Sequence, residues 1–180
     1  MAVFPMEASA ADVYPKVNRF IFARLAEFQQ IPKARREMLD GLAEKIGAFK
    51  SAKRPVRLVF ICTHNSRRSH FGQVWGQVAA AWYCVDGVTT FSGGTEATAC
   101  NPRTVEALRR AGLVVEAPAD FGSTSNPRYK VTFSAERPAM VCYSKTYHDH
   151  ANPQQDFIAI LTCSDADEKC PIVNGATARF

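Results

Sequence analysis

A cysteine, two arginines and two serines crowd into VFICTHNSRRSHFGQ, residues 59 to 73, directly behind an apolar run. Cys62 and Arg68 are spaced as Cys-x5-Arg, and Ser69 follows at once. A loop curling between a strand and a helix aims backbone N–H groups inward and makes a nest for an oxyanion. The positive end of the helix dipole reinforces that nest. Arg68 adds a planar fork able to hold two oxygens of a tetrahedral anion. The same field favours thiolate over thiol, so Cys62 is expected to titrate low and act as a nucleophile. Ser69 is placed to donate its hydroxyl to that sulfur. Asn65 suits a left-handed backbone position inside the loop. Cys62 to Ser69 therefore reads as an oxyanion cradle with a nucleophile at its base.

A second reactive stretch is LTCSDADEKCP, where Cys163 and Cys170 flank small and acidic residues. Seven positions is poor zinc-finger spacing and the chain has no Cys-x-x-Cys, so no metal is assigned even with His148 and His150 nearby. Ordinary thiols and a redox pair both fit these two cysteines. Cys84, Cys100 and Cys142 read as packing residues.

These side chains need strands and helices to position them. VRLVFI (56–61) is β-rich and suits a buried parallel strand. Residues 69–84 read as a helix with Phe71, Val74, Val78, Ala81 and Trp82 on its apolar side. VTTFSGG (88–94) is a second strand. NPRTVEALRRAGL begins a helix with Asn101 as N-cap and Pro102 in the first turn, and Gly112 stops it. RYKVTFS (128–134) and AMVCYS (139–144) flank AERP as a hairpin or loop insertion. DFIAILTC (156–163) is another apolar strand, again ending in cysteine. If it lies parallel to the strand ending at Cys62, both thiols emerge at one sheet edge. Strands alternating with helices predict an α/β sandwich with a mostly parallel sheet.

Residues 10–49 carry two helical stripes, one from Val13 to Phe28 and one at Leu39, Leu42, Ile46 and Phe49. They read as core packing and leave a homodimer through the N-terminal helices open. KSAKRP (50–55) is a charged linker closing this section, so residues 1–55 are expected to form a helical extension and 56–180 the α/β domain.

Composition narrows the rest. The chain has 180 residues, enough for one substantial core with an appended element. A net charge of +5 suits an anionic substrate. No basic tract interleaved with aromatics argues for nucleic acid. No signal peptide or bilayer-length apolar stretch is seen, so no membrane partner is expected. Six cysteines without an export signal point to a reducing cytoplasm.

VFICTHNSRRS resembles the phosphate-binding loop of the low-molecular-weight protein tyrosine phosphatase superfamily, which includes the thioredoxin-coupled arsenate reductases. FSGGTEATACNPRTVEALRRAGL is similar to that family's second strand and following helix, and the resemblance runs from about Val56 onward. It implies a three-layer α/β sandwich with no cofactor. Cys62 would be the nucleophile and Arg68 the oxyanion clamp. The cradle would be the backbone of Thr63, His64, Asn65, Ser66, Arg67, Arg68 and Ser69. His64 stands where the family usually has glycine, and Arg67 where many members carry a second cysteine.

Cys163 and Cys170 are similar to the redox cysteines of the arsenate reductases. That implies a thiolate-dependent arsenate reductase passing a disulfide along the cysteines to thioredoxin. The alternatives are a phosphatase acting on phosphotyrosine or small phosphoesters, and a non-catalytic oxyanion- or protein-binding module. The family's general acid lies in an Asp-Pro motif, and this chain has none; Asp165 and Asp167 are the nearest substitutes. The resemblance places a last strand, the acid loop and a closing helix beyond NGATARF, so the α/β domain is expected to lack that C-terminal end.

Overall fold

A computed structural model describes residues 13–119, 121–169 and 172–180. Its centre is a sheet of four parallel strands: β1 (Val56–Cys62), β2 (Val88–Gly94), β6 (Phe157–Leu161) and β7 (Ala176–Arg179), in the order β2-β1-β6-β7. Residues of β1 alternate between the two faces, as a pleated strand requires. Val59 and Ile61 pack on one side with Phe157, Ala159 and Ala166, while Val56, Leu58 and Phe60 pack on the other.

Two helices cover the Leu58 face. Phe49, Ile46 and Leu42 of α2 (Lys33–Ser51) join Val56, Leu58, Ile158 and Ile160. The other is α3 (Arg68–Trp82), whose Gly72 and Gly76 lie against the Phe60 ring. A Cβ on Gly72 would stand 2.3 Å from that ring, so helix and strand could not approach as they do with any larger residue. On the opposite face the short helix α5 (Ser164–Lys169) contributes Ala166. The expected three-layer α/β arrangement around a parallel sheet is thus observed.

A second, antiparallel sheet stands apart from the first. The hairpin read in the sequence forms β4 (Tyr129–Thr132) and β5 (Met140–Cys142), and β3 (Val114–Glu116) joins it in the order β3-β4-β5. With α4 (Pro102–Arg110) this sheet closes the largest core cluster, in which Val74 and Val78 of α3 meet Val105, Leu108 and Val131. Asn101 caps α4 as expected, its side chain accepting from the Arg103 N–H at 3.0 Å, and Gly112 follows the helix at φ +105°.

Two findings refine the sequence reading. The stretch ATAR, left without an element in the sequence reading, forms β7 (Ala176–Arg179) and pairs parallel to β6. The N-terminal helices also belong to the core: Val17 of α1 (Pro15–Leu25) is fully buried beside Val74 and Val78, and Phe49 of α2 is buried against the sheet. The two helices read within 10–49 are α1 and α2, separated by a 3-10 turn at Phe28–Gln30, with Pro32 directly preceding α2. Residues 10–12 of that reading lie outside the described residues. No helix among the described residues is long and apolar enough to cross a membrane.

Trimming the Val17 side chain to alanine removes two buried carbons from the shared core. Val17→Ala should lower unfolding stability by about 2 kcal/mol in urea denaturation while leaving a single transition. A loss confined to a separate early transition would mean that α1 folds apart from the sheet.

Candidate active site

The strand order places a crevice at one particular point. From β1 the chain crosses to β2 on one side and later returns as β6 on the other, so the carboxyl end of β1 is a topological switch point where open α/β sheets bind ligands. Cys62 is the last residue of β1, and α3 begins at Arg68.

The loop between them is locked by its own polar groups. Asn65 is buried with φ +44°, the left-handed conformation expected of it. Its Nδ2 donates to Ser69 Oγ at 2.8 Å, and its Oδ1 accepts from the Lys145 N–H at 2.9 Å. Since Ser69 Oγ accepts from Asn65, its own proton is free to point at Cys62 Sγ, 3.1 Å away. Gly94, paired with Cys62 across the sheet, permits a close approach: a Cβ there would lie 2.7 Å from Asn65 N.

Burial alone would push the Cys62 thiol up. The Ser69 hydroxyl and the backbone N–H groups of Ser69, Ser66 and Asn65 outweigh that burial, and hold it below the ordinary cysteine value. The remaining described cysteines are also free thiols, but their surroundings differ. Burial drives Cys100 and Cys142 up to about 12 each. Cys84 is exposed at the end of α3.

Above the sulfur is an open pocket of about 220 Å³ lined by Cys62, His64, Ser66, Arg67, Arg68, Thr98 and Asn101. Arg68 therefore shares the pocket with the sulfur, and neither Arg67 nor Arg68 is paired with a carboxylate among the described residues. Ser66 is fixed by its hydroxyl donating to Ala99 O at 2.7 Å. The carbonyl of Thr63 accepts from the Glu96 N–H at 2.9 Å, binding the loop to the chain after β2.

Cys163 emerges at the same edge. Thr162 donates both its N–H, at 2.8 Å, and its hydroxyl, at 2.9 Å, to the carbonyl of Ile61. The next residue thereby brings its sulfur to 3.6 Å from Thr63 Oγ1. Cys170 lies outside the described residues. Asp165 and Asp167 sit on α5, where Asp167 is engaged by Arg179.

Three features escaped sequence reading: the Asn65–Lys145 bond, the Thr63–Cys163 contact, and the approach of His64 Nε2 to Glu96 Oε1 at 2.9 Å. Partners 80 and 100 positions away carry no local signal. The glutamate two residues past Gly94 was the one legible hint. His70, one residue beyond Ser69, is fully buried with Nδ1 3.2 Å from Ser92 Oγ. Burial, and then the Lys145 cation, press it down to about 4, against the pull of the Asn65 carbonyl.

No family model matches the chain. Over 116 residues, 64% of this chain, the sequence is 31% identical to arsenate reductase 2 of Staphylococcus haemolyticus and 29% identical to arsenate reductase 2 of Staphylococcus epidermidis. Each match spans 66% of the relative's length, just under two thirds. The solved thioredoxin-dependent arsenate reductase of Corynebacterium glutamicum is 21% identical with a TM-score of 0.39, covering 91% of this chain and 72% of that one. At that degree of superposition it adds nothing to the sequence matches.

Iodoacetamide should alkylate Cys62 before Cys100 and Cys142, and at a pH below that of an ordinary thiol. In Ser69→Ala the labelling midpoint should move upward; an unmoved midpoint would show that the hydroxyl does not hold the thiolate. His70 adds a pH effect on stability. The unfolded chain takes up a proton near 6.5, whereas the native chain resists it until about 4, so stability present above 6.5 should be lost as pH falls through that window. His70→Gln should flatten the melting temperature between those two pH values, whatever its effect at neutral pH.

Proposed function

We propose that this chain, which belongs to the superfamily of low-molecular-weight protein tyrosine phosphatases and thioredoxin-coupled arsenate reductases, reduces arsenate by passing oxidation along its cysteines. The observation that supports this reading is the second thiol: Cys163 follows β6 at the same sheet edge as Cys62, its sulfur 3.6 Å from the hydroxyl of Thr63, the residue after Cys62. Phosphate ester hydrolysis needs the first thiol alone. The arsenate reductases to which the chain is similar support the same choice of substrate.

In the proposed sequence arsenate enters the pocket with its oxygens toward the loop amides and the Arg68 guanidinium. Thiolate Cys62 attacks arsenic; an arsenic–sulfur bond forms and one arsenic–oxygen bond breaks, the oxygen leaving as water. Arsenic remains in the +5 state. Thiolate Cys163 then attacks the Cys62 sulfur. The arsenic–sulfur electron pair stays with arsenic, which departs as arsenite in the +3 state, and the two thiols become a disulfide. Cys170 next attacks Cys163, restores the Cys62 thiolate, and leaves a Cys163–Cys170 disulfide for a reduced dithiol protein of the thioredoxin class. Atoms and electrons balance: two electrons enter arsenic and two thiols of the chain are oxidised.

Mass spectrometry after arsenate treatment without reductant is the decisive measurement. A Cys163–Cys170 disulfide is expected in the wild type, and a trapped Cys62–Cys163 disulfide in Cys170→Ser. Cys163→Ser should abolish arsenate-dependent oxidation of thioredoxin. If both variants hydrolyse p-nitrophenyl phosphate at the wild-type rate and arsenate oxidises no thiol, the chain is a phosphatase instead. No turnover of either substrate would leave an oxyanion-binding module.

A further inference from the structure

The two sheets do not join along β2. That strand is an edge of the parallel sheet, and no strand of the antiparallel sheet pairs with it. Side chains cap its outer edge instead: Gln77 Oε1 accepts from the Thr90 N–H at 3.0 Å, and Asn152 Nδ2 donates to the Ser92 carbonyl at 3.1 Å. Between the edge and the segment from Phe133 to Tyr143 a cavity of about 450 Å³ remains. Small-molecule sites run from roughly 300 to 1,000 Å³. No residue from Cys62 to Ser69 lines this cavity, and it shares no lining residue with the pocket over the sulfur.

One charge in its wall has no counter-ion. Lys145 lines the cavity and is only 5% exposed. Among the described residues no carboxylate pairs with its ammonium and no oxygen accepts from it. The carboxylate whose field reaches it is that of Asp149, which accepts from the Ala151 N–H at 2.9 Å and lies 3.5 Å from His150 Nδ1. The Tyr143 ring, 4.6 Å from the ammonium, replaces only part of its lost hydration. Burial accordingly holds Lys145 below the ordinary lysine value. Lysine is almost never buried without a partner, because an uncompensated charge in the interior is costly.

The remaining wall indicates what partner would fit. Phe133, Met140 and Tyr143 supply apolar surface, and Arg137 adds attraction for an anion. Gln73 also lines the cavity; its Oε1 already accepts from Ser92 Oγ at 2.6 Å, which leaves its amide N–H groups as donors. Gln73 and Gln77 come from the middle of α3, so the wall has no helix N-terminus, and it has no loop of converging amides such as the cradle offers a tetrahedral oxyanion. A point charge, an amide and an apolar wall suit a planar carboxylate on an apolar body. We propose that this cavity is a second ligand site, which takes a small organic carboxylate with its charged end on Lys145 and its body against Phe133, Met140 and Tyr143. The site does not use Cys62 and stands whether or not the chain reduces arsenate.

The test is calorimetric titration of the full chain with acetate, butyrate and benzoate, alongside melting temperature. Butyrate and benzoate should each saturate one site and raise the melting temperature, and both should bind more tightly than acetate, which leaves the apolar wall uncovered. Benzamide has nearly the shape of benzoate without its charge and should bind about tenfold or more weakly. Lys145→Met keeps the backbone N–H and the length of the side chain. It should weaken benzoate about tenfold or more and melt no lower than wild type, since it removes an unpaired buried charge. Ala139→Phe fills the cavity from the segment before β5 and should lose benzoate with the ammonium intact. Benzoate should leave iodoacetamide labelling of Cys62 unshielded. No saturable carboxylate binding, equal affinity for benzamide, undiminished binding in Lys145→Met or in Ala139→Phe, or protection of Cys62 by benzoate would each overturn the proposal. Inorganic phosphate binding more tightly than benzoate and lost in Lys145→Met would overturn the choice of a carboxylate.

Discussion

The described site depends on one backbone residue being held where it would rather not be. Asn65 adopts φ +44°, a region that asparagine tolerates better than most residues, and only in that conformation do the amides of Asn65, Ser66 and Ser69 converge on the Cys62 sulfur. The side chain secures the turn by bonding in two directions. One arm reaches Ser69 in the first turn of α3, and the other reaches the backbone of Lys145, beyond β5. A buried amide with both ends satisfied tolerates little rotation, since each lost bond would leave a polar group unpaired in the interior. The antiparallel sheet is therefore part of the site: it carries the chain to the 145 position from which the loop is braced.

The same constraint explains why one cysteine is held below the ordinary thiol value while two others are pushed above it. Cys62, Cys100 and Cys142 are all buried, and burial favours the neutral thiol in each. Only Cys62 has backbone dipoles and a hydroxyl donor aimed at its sulfur, and their sum outweighs desolvation. Lys145 is a cation close enough to Cys100 and Cys142 to pull their thiols down, yet burial still prevails there. Proximity to one charge is thus weaker than several short hydrogen bonds directed at one atom. The Lys145 ammonium instead lies 4.6 Å from the Tyr143 ring, a contact that partly compensates its own loss of water.

Legibility in the sequence followed the range of the interactions involved. The apolar runs of β1, β2 and β6, the Asn101 cap, the Gly112 stop and the left-handed Asn65 are local choices, and each was readable from a few residues. The short strand Val114–Glu116 was missed because three residues carry no usable periodicity, and its partner strands lie elsewhere in the chain. The stretch ATAR of β7 was missed for a different reason. As an edge strand it buries little, so its composition is polar and small rather than apolar. The N-terminal stripes were read as core-facing, which holds for Val13, Val17 and Phe49 but not for Phe28 and Leu39, both exposed, and no pattern within them states that α1 shares the core α3 packs into. The cradle itself was legible because a nest is built from consecutive residues. Its braces at Lys145, Glu96 and Cys163 were not, since topology alone brings them to the loop.

Topology also bears on the proposed relay. β1 and β6 are parallel neighbours with Ile61 level with Leu161, so the chain leaves both strands side by side at the switch point. The Thr162 bonds to the Ile61 carbonyl then hold Cys163 close to the loop without placing it in the pocket. Beyond Cys163 the constraint weakens. Helix α5 has six residues, too few to be stable alone, and among its described side chains only Ala166 is buried. It is held chiefly by Ala166 in the core and by Arg179 on Asp167. A segment with so few contacts opens at low free-energy cost compared with the sheet it leaves. The arrangement therefore joins a first thiol in a braced loop to a second thiol at the start of a short, sparsely buried helix, a gradient that would suit the disulfide transfer proposed above.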